Sequence, residues 1–277
     1  MAWKISGFGD EISDNLTTQL QAIGLLGGDA LEPRRVQLPD AATHNIVALD
    51  DSALRTMKTM LDDHGMACSQ IGSPVGKAPL GSEAQEQLDL LDGAIRAAHA
   101  LDTPYVRVFG FQADAALERE AGMQTAIDRF RTLAEHAADH DPAIRLSLEN
   151  EHDLYGATPE ECARIINAIE TGNVSMCFDP GNFVRAGVRP FDDGWELLAP
   201  HTRMLHIKDC RATDDVWVPA GEGDGQLGQI LEAADPDAIA YLSLEPHLAN
   251  SSWGEGHTRS GLWSEAYMAL QGLLRPS

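Results

Sequence analysis

The chain has 277 residues, of which 20 are Lys or Arg and 43 are Asp or Glu, so its formal net charge is −23. A protein that binds duplex DNA or an anionic membrane surface needs a basic face, so this charge excludes nucleic acid and membrane as expected partners. Hydrophobic residues make up 43% of the sequence, which suits a soluble protein with a substantial core. No apolar run reaches the roughly 20 residues of a membrane span.

Neither the N-terminal sequence nor the cysteines indicate export. The first residues, Met-Ala-Trp-Lys-Ile-Ser, lack the charged, apolar and cleavable parts of a secretory signal. The four cysteines are too widely spaced for paired zinc-binding CxxC motifs, and they do not suggest a disulfide scaffold. We therefore expect a reduced, cytoplasmic protein.

Eight apolar, β-rich runs alternate with helical patterns along the chain. Their nearly continuous apolar character is typical of parallel strands that are covered on both faces. The predicted strands are Lys4–Gly9, Ala30–Val36, Met66–Gly72, Tyr105–Phe111, Ile144–Asn150, Val174–Asp179, Arg203–Lys208 and Ile239–Glu245.

Helical patterns separate these strands. Residues 82–101 place Leu88, Leu91 and Ile95 at three- and four-residue spacings, which gives one apolar helix face. The run Thr158-Pro159-Glu160-Glu161 predicts a helix start with an N-cap, a proline at the first position and a capping-box glutamate. Because no Pro/Gly/Ser-rich linker interrupts the chain, we expect a single domain over residues 1–277.

Eight βα units in 277 residues predict an α/β fold, a single closed (β/α)8 TIM barrel, which typically needs about 250 residues. A doubly wound sheet is the alternative. However, the run Gly7-Phe8-Gly9-Asp10 after the first strand is too short for a dinucleotide-binding GxGxxG, so a nicotinamide cofactor is excluded. Active sites of TIM barrels lie at the carboxyl ends of the strands, so polar residues there are the candidates.

Strands five to eight each end in a residue that can bind a metal ion. The last polar residues expected to face inward on these strands are Glu149, Asp179, His206 and Glu245. Three carboxylates and an imidazole suit a divalent cation, with Mn²⁺ favoured and Zn²⁺, Co²⁺ or Mg²⁺ as alternatives. Any one of these carboxylates could merely cap a helix, but four converging polar groups would be costly without an ion.

Seven motifs spread from Gly9 to about His247 carry a resemblance to a known family. They are Gly9-Asp10-Glu11-Ile12, Ile71-Gly72-Ser73-Pro74-Val75-Gly76-Lys77, Glu149-Asn150-Glu151, Phe178-Asp179-Pro180-Gly181-Asn182-Phe183, His206-Ile207-Lys208-Asp209, Pro219-Ala220-Gly221-Glu222-Gly223-Asp224-Gly225 and Ser243-Leu244-Glu245-Pro246-His247. Together they resemble the sugar phosphate isomerase/epimerase family, which belongs to the xylose-isomerase-like TIM barrels.

The resemblance implies roles for the strand-end residues. In ketose 3-epimerases of this superfamily, Glu, Asp, His and Glu at these positions hold one divalent metal. The two glutamates also act there as acid and base on opposite substrate faces, so Glu149 and Glu245 are the expected catalytic residues. Those epimerases place a substrate-binding histidine three residues after the metal aspartate, where this chain has Asn182. A neutral amide can keep a substrate contact, but ketohexose specificity is not implied.

Five further residues are candidates for substrate binding. Lys77 and Lys208, two of only four lysines, fall at predicted barrel-top positions, where they can bind substrate oxygens. Arg107 alternates with valines on the fourth strand and is expected to point into the barrel; a buried ion pair with Glu149 or Glu32 is the alternative. Arg211 follows the His-Ile-Lys-Asp run, and Glu222 lies in a Gly-rich loop that can approach a ligand closely.

We therefore expect a metal-dependent sugar isomerase or epimerase of carbohydrate metabolism that enolises a small keto sugar or a related polyol-derived substrate. A metal ion that chelates the carbonyl would stabilise the enediolate. The alternative is a lyase or dehydratase that uses the same enolisation on a keto-cyclitol or 3-keto-glycoside. The absence of a strongly basic loop favours a non-phosphorylated substrate.

Two other function classes are disfavoured, and the sequence leaves open whether the protein forms a homo-oligomer. An abasic-site endonuclease of related fold conflicts with the charge of −23, and a silent sugar-binding protein conflicts with the complete ligand set. Related barrels often pair through helices near the active face. Trp253, Trp263 and Tyr267 could therefore belong to a homo-oligomer interface or to the core beneath the last helix.

Overall fold

The computed structural model describes residues 3–39, 41–114 and 116–275. Its eight barrel strands are Ile5–Gly7 (β1), Ala30–Leu31 (β2), Ala67–Cys68 (β3), Tyr105–Val108 (β4), Arg145–Glu149 (β5), Val174–Phe178 (β6), Thr202–Ile207 (β7) and Tyr241–Leu244 (β8). Six of them form one parallel sheet in the order β1-β8-β7-β6-β5-β4. The parallel pair β2-β3 is joined to β1 by the Phe8–Glu32 bridge and to β4 by the Ile71–Val106 bridge. The predicted (β/α)8 barrel is thereby confirmed.

Helices connect the strands and cover the outside of the barrel. Within the described ranges they are Leu16–Leu26 (α1), Asp51–Asp63 (α2), Ala84–Ala100 (α3), Arg119–His140 (α4), Pro159–Asn167 (α5), Pro180–Arg185 (α6), Glu196–Leu198 (α7), Leu227–Ala233 (α8) and Arg259–Leu273 (α9). The helix predicted over residues 82–101 is α3, and Leu91, Ala94 and Ile95 lie on its buried face. None of the helices among these residues is long and apolar enough to cross a membrane.

The start of α5 follows its sequence signature with one difference. Thr158 caps the helix by accepting a hydrogen bond from the Glu161 N–H, and Pro159 occupies the first turn. The Glu161 carboxylate does not bond back to Thr158. It accepts from the N–H groups of Gly156 and Ala157 at 3.0 and 3.2 Å, which satisfies backbone donors just before the helix.

Most predicted strands are longer than the observed ones, and two of them differ most. The strand predicted over Ala30–Val36 ends at Leu31, because Pro33 has no N–H to donate to a sheet. Arg35–Gln37 instead pairs antiparallel with Thr43–Asn45 in a separate two-stranded sheet. The strand predicted over Met66–Gly72 is reduced to Ala67–Cys68, beyond which only the bridge at Ile71 continues the pairing.

The barrel interior carries a layer of buried serines. Ser6 pairs in register with Ser243, which in turn pairs with His206, so these three side chains share one row across β1, β8 and β7. Ser6 Oγ lies 2.6 Å from Ser69 Oγ, which gives both buried hydroxyls a partner. This small polar layer leaves room above it for longer side chains at the strand ends.

The last described helix, α9, packs into the core. Trp263 and Tyr267 are buried on α9, as the core alternative predicts, while Trp253 donates its indole N–H to Glu265 at 3.1 Å. The ends of the predicted 1–277 domain, residues 1–2 and 276–277, lie outside the described residues.

Candidate metal and substrate site

Strands β5 to β8 bring the four predicted metal ligands together at their carboxyl ends. Alternation along each strand sets their direction: Glu245 lies two residues after Ser243 and therefore shares its inward face. Glu149, Asp179, His206 and Glu245 are all buried, and ligand atoms of the four lie within 4.8 Å of one another. The site is therefore built from four different strands around one point.

The imidazole of His206 marks that point. Its Nδ1 lies 3.5 Å from Glu149 Oε1 and 3.5 Å from Asp179 Oδ2. Glu245 Oε2 lies 3.4 Å from the same nitrogen. Nδ1 is buried without a hydrogen-bond partner in the described part of the chain, although such atoms are nearly always partnered. Asp179 Oδ2 also lacks a hydrogen bond there and has only an ion pair with Lys208 Nζ at 3.3 Å. A ring nitrogen and carboxylate oxygens that converge in this way fit a divalent cation.

Neighbouring cations keep both glutamates ionised. Burial alone would raise the pKa of Glu149, but the Arg107 guanidinium and His206 outweigh it and hold this pKa at about 2. Burial acts in the same direction on Glu245, yet the Lys208 ammonium and His247 lower the pKa of Glu245 well below its usual range. At neutral pH both side chains are therefore ionised carboxylates.

Three cationic side chains contact these carboxylates. Arg107 Nη1 lies 3.0 Å from Glu149 Oε2 and 3.8 Å from Glu245 Oε1, so Arg107 forms the buried ion pair that was its alternative interpretation. Lys208 Nζ lies 3.3 Å from Asp179 Oδ2 and 3.3 Å from Glu245 Oε2. Arg34 Nη1 donates to Glu245 Oε1 at 2.7 Å. These contacts hold both glutamates in place at the base of the cleft.

A cleft leads from the surface to this cluster. Its inner part, of about 150 Å³, is lined by Arg107, Glu149 and Glu245 among others. The outer part, of about 530 Å³, is lined by Asn182 and Trp217 among others, and Lys77 and Lys208 line both parts. Volumes of this order accommodate small molecules.

The sequence matches the family model of the xylose isomerase-like TIM barrel over residues 20–265. The chain belongs to this family. The match includes all four strand ends that supply the buried cluster, so the family assignment and the site rest on the same part of the chain. No curated protein matches the sequence.

Solved structures resemble this xylose isomerase-like barrel over nearly its whole length. A D-tagatose 3-epimerase-like protein has 18% identity and a TM-score of 0.76, with 98% of this chain and 97% of that chain covered. The probable 3-DHS dehydratase AsbF from Bacillus anthracis has 15% identity and a TM-score of 0.70, with 98% and 99% covered. A xylose isomerase-like TIM barrel protein from Mycobacterium smegmatis, in complex with magnesium, has 20% identity and a TM-score of 0.67, with 99% and 98% covered. At these identities the likeness establishes the fold.

Asn182 lies at the position where the resemblance to ketose 3-epimerases would place a substrate-binding histidine. Asn182 follows Asp179 in the first turn of α6, where the Asp179 carboxylate accepts the Asn182 N–H at 2.8 Å. The side-chain amide donates to Glu149 Oε1 at 3.2 Å and to the Asn150 carbonyl at 2.9 Å. The amide therefore positions one of the two glutamates and lines the cleft at the same time.

Arg211 and Glu222, two of the predicted substrate contacts, do not line either part of the cleft. Arg211 is half exposed and forms a bidentate ion pair with Asp214 at 2.9 and 2.8 Å. The hairpin Asp209–Arg211 with Val216–Val218, which follows β7 and was not predicted, holds it there. Glu222 is exposed at the surface of its Gly-rich loop. Contact of either residue with a substrate stays a prediction.

The glycines of that loop surround a buried carboxylate. Asp209 accepts the N–H groups of Gly221, Gly223 and Gly225 at 2.8, 3.1 and 2.8 Å, and that of Cys210 at 2.9 Å. An added Cβ at Gly223 would lie 2.3 Å from Asp209 Oδ1, which explains why glycine is needed there. The loop that the sequence suggested for ligand contact therefore anchors Asp209, the residue after Lys208.

Sequence reasoning did not identify Arg34 as a residue of the site, and it considered Glu32 only as a partner of Arg107. Glu32 is fully buried and accepts hydrogen bonds from Ser243 Oγ at 2.5 Å and Gln70 Nε2 at 2.9 Å. Its Oε2 lies 3.4 Å from His206 Nε2, the ring nitrogen that faces away from the other carboxylates. Glu32 directly follows β2 and Arg34 lies two residues further on, so a correct end for β2 would have made Glu32 a strand-end candidate.

Proposed function

We propose that this protein is a divalent-metal-dependent sugar isomerase or epimerase that transfers a proton next to the carbonyl group of a small keto sugar. The observation that carries the proposal is the environment of His206 Nδ1. This buried nitrogen has no hydrogen-bond partner among the described residues, and carboxylate oxygens from three strands lie 3.4–3.5 Å away. A cluster of this kind at the base of a barrel-end cleft is the expected form of a metal-assisted active site.

Glu149, Asp179, His206 and Glu245 would hold the ion. The mixed oxygen and nitrogen ligands favour Mn²⁺, with Zn²⁺, Co²⁺ or Mg²⁺ as alternatives. When bound, such an ion supplies electrostatic stabilisation for the negative charge that develops on the substrate oxygen as the neighbouring proton leaves.

Glu149 and Glu245 would transfer the proton. They extend from β5 and β8, which are separated by two strands, so their carboxylates can reach a substrate from different sides. One glutamate, as the carboxylate, removes the proton next to the carbonyl. The other must enter the step protonated, with a proton taken from solvent, and it donates that proton to the opposite face, which inverts the carbon. Exchange with solvent then restores both protonation states. Arg107 and Arg34 hold these carboxylates in place through the contacts at 3.0 and 2.7 Å.

Lys208 would bind the substrate oxygen that becomes negative. Burial disfavours its charge, but Asp179 and Glu245 outweigh this effect and raise the pKa of Lys208. The ammonium group therefore stays protonated and can donate hydrogen bonds in the cleft. Trp217 lies against it, with Nζ 4.8 Å from the ring centroid, which limits the positions that the ammonium group can take.

The ion pairs of the cleft favour a non-phosphorylated substrate. Lys77 Nζ lies 2.7 Å from Glu151 Oε2, and Arg185 in the outer cleft pairs with Asp215 at 2.7 Å. Arg107 and Lys208 are also paired with carboxylates, as described above. A phosphate group would have to compete with these carboxylates for every one of the four cations.

The decisive experiment separates metal binding from proton transfer. Native protein is stripped with a chelator, reloaded with Mn²⁺ and incubated in D₂O with a panel of keto sugars, and Glu149→Gln, Glu245→Gln and the surface control Glu196→Gln are treated alike. We expect both site variants to retain metal and to lose turnover by about 10²–10⁴-fold, the usual contribution of a general base. The Glu196→Gln control should match the native protein.

The products of the same assay decide between reaction classes. Deuterium next to the carbonyl with an epimerised or isomerised product supports the proposal, and one glutamate variant should still exchange without forming product. Deuterium exchange followed by loss of water or a glycosidic group would instead identify the dehydratase or lyase alternative. Native protein that binds none of the four ions, or site variants that retain metal and turn over at the native rate, would show that the proposal is wrong.

We further propose that residues 1–277 act as a single barrel domain in the cytoplasm within carbohydrate metabolism, as a homo-oligomer. Light scattering and sedimentation, both at the working protein concentration, measure the oligomeric state. A strict monomer would reject that part of the proposal without affecting the chemistry at the strand ends.

A further inference from the structure

A second group of metal-binding side chains lies on the outside of the barrel. Asp92 extends from α3, and His136 and His140 extend from one face of α4, one helical turn apart. Ligand atoms of the three residues lie within 4.8 Å of one another. Nothing in the proposed reaction uses them, and they belong to different elements from the four residues at the strand ends.

The hydrogen bonds of the cluster orient the imidazoles. His140 Nδ1 lies 2.9 Å from the His136 carbonyl oxygen, to which only a protonated ring nitrogen can donate. The neutral His140 ring therefore keeps its lone pair on Nε2, which lies 3.5 Å from Asp92 Oδ1. His136 Nε2 lies 2.6 Å from the same oxygen, and the two rings are 4.3 Å apart. A hydrogen bond that fixes the tautomer in this way is typical of metal-binding histidines.

We propose that Asp92, His136 and His140 form a second metal site, which takes a borderline transition-metal ion such as Zn²⁺, Cu²⁺ or Ni²⁺ and links α3 to α4. Two imidazoles and one carboxylate suit these ions, whereas Mg²⁺ and Ca²⁺ prefer oxygen ligands. Three protein ligands leave a coordination position for water. Asp92 and His140 are 44% and 47% exposed, so an ion can enter from solvent without a change in fold.

The position of the cluster also favours a cation. His140 is the last residue of α4, where the carbonyl end of the helix carries partial negative charge. Because the helices of a (β/α)8 barrel run opposite to its strands, this end of α4 lies away from the strand ends that carry the candidate active site. An ion here would therefore brace the outside of the barrel and take no part in the proposed reaction.

Counting bound ions tests this proposal independently of the active site. Chelator-treated native protein, the double variant His136→Gln/His140→Gln and the control His257→Gln, which changes an exposed histidine elsewhere, are dialysed against Zn²⁺ and analysed for metal. We expect the double variant to bind one ion per chain fewer than the other two proteins. A decrease from two to one means that both sites bind, and a decrease from one to zero means that only the outer site does. Equal numbers in all three proteins would overturn the proposal.

Two further readouts identify the ligands. The EPR spectrum of Cu²⁺ on the native protein should include a species coupled to two imidazole nitrogens, which the double variant lacks and which excess Mg²⁺ does not displace. Zn²⁺ at about 100 times its Kd should raise the apparent Tm of native protein by roughly 5 °C more than that of the double variant. If the two-nitrogen species persists in the double variant, or if Zn²⁺ raises both Tm values equally, the cluster is only an ion pair between Asp92 and His136.

Discussion

Glu32→Gln is the sharpest test of how the barrel holds its metal ligands. The substitution keeps the size of the side chain and removes one buried negative charge. Glu32 Oε2 and Cys177 Sγ lie 3.4 and 3.2 Å from His206 Nε2, and Glu32 is the charged group of the two, while His206 Nδ1 faces the three carboxylate ligands. For Nδ1 to bind a cation it must be unprotonated, and the proton must then reside on Nε2. The negative charge of Glu32 favours that arrangement and makes Nδ1 a stronger ligand.

The expected loss of metal affinity in Glu32→Gln follows from the contacts of Glu32. Outer carboxylates of this kind contribute roughly 10- to 100-fold to metal affinity, which corresponds to about 1.4–2.7 kcal/mol. Ser243 Oγ and Gln70 Nε2 hold the carboxylate in place, at 2.5 and 2.9 Å. Ser243→Ala removes one of these bonds but leaves the charge, so its effect should be below about 10-fold. The two variants thus separate the charge of Glu32 from its orientation.

Titration calorimetry with Mn²⁺ and with Zn²⁺, on protein first stripped by a chelator, measures both effects. Glu196→Gln, the same chemical change at an exposed position, provides the control. Unfolding midpoints without metal verify that each variant is folded. If folded Glu32→Gln binds both ions as tightly as the native protein does, then Glu32 does not orient His206, and our account of the site is wrong at that point.

Three further predictions concern stability. Without divalent ions, native protein should lose about 3 kcal/mol more of its free energy of unfolding than Glu149→Gln does as the pH falls from 4.5 through 2. The reason is that the pKa of Glu149 in the folded protein is about 2, so ionised Glu149 stabilises the fold only above that pH. Urea unfolding at several pH values measures the difference, and parallel curves for the two proteins would contradict it. Asp209→Ala should lower the free energy of unfolding by at least about 3 kcal/mol, because four backbone N–H groups lose a charged acceptor. The control Asp214→Ala, at an exposed position, should change it by less than about 0.5 kcal/mol. Equal unfolding midpoints for the two variants would refute the role of the loop. Gly110→Ala should destabilise strongly, because its Cβ would clash with the Tyr155 carbonyl oxygen, while Gly228→Ala on α8 meets no atom within 4 Å and should be neutral or stabilising by thermal unfolding.

The strand-end residues could be predicted because two simple periodicities determine them. Apolar runs locate the strands, and alternation then selects the side chains that face inward. On β5 and β8 this reasoning gives Glu149 and Glu245, and the structure places both beside His206. Even the bulge between β6 and β7, where Arg203 has no partner in register, leaves Asp179 beside His206, because Asp179 lies beyond the last paired residue.

Features that depend on contacts between distant segments could not be predicted in this way. Glu32 and Arg34 fell within the predicted strand Ala30–Val36, whereas the observed strand ends before Pro33. Asp92 and His136 are 44 residues apart, and their contact depends on the register between two packed helices. That register is set by side-chain packing along both helices, and no spacing within a single sequence segment encodes it.

The balance of charge at the strand ends explains why cations and carboxylates occur there together. Five carboxylates converge here with three cationic side chains: Glu32, Glu149, Asp179, Glu245 and Asp10, with Arg34, Arg107 and Lys208. With the neutral His206 that a bound metal ion requires, the group carries two excess negative charges in largely buried surroundings. A divalent cation would offset both of them. Removing a single cation, as in Arg34→Met, would instead leave Glu245 without its contact at 2.7 Å and make the carboxylate easier to protonate. Arg107 and Lys208, which the sequence suggested as substrate contacts, thus keep two buried glutamates ionised.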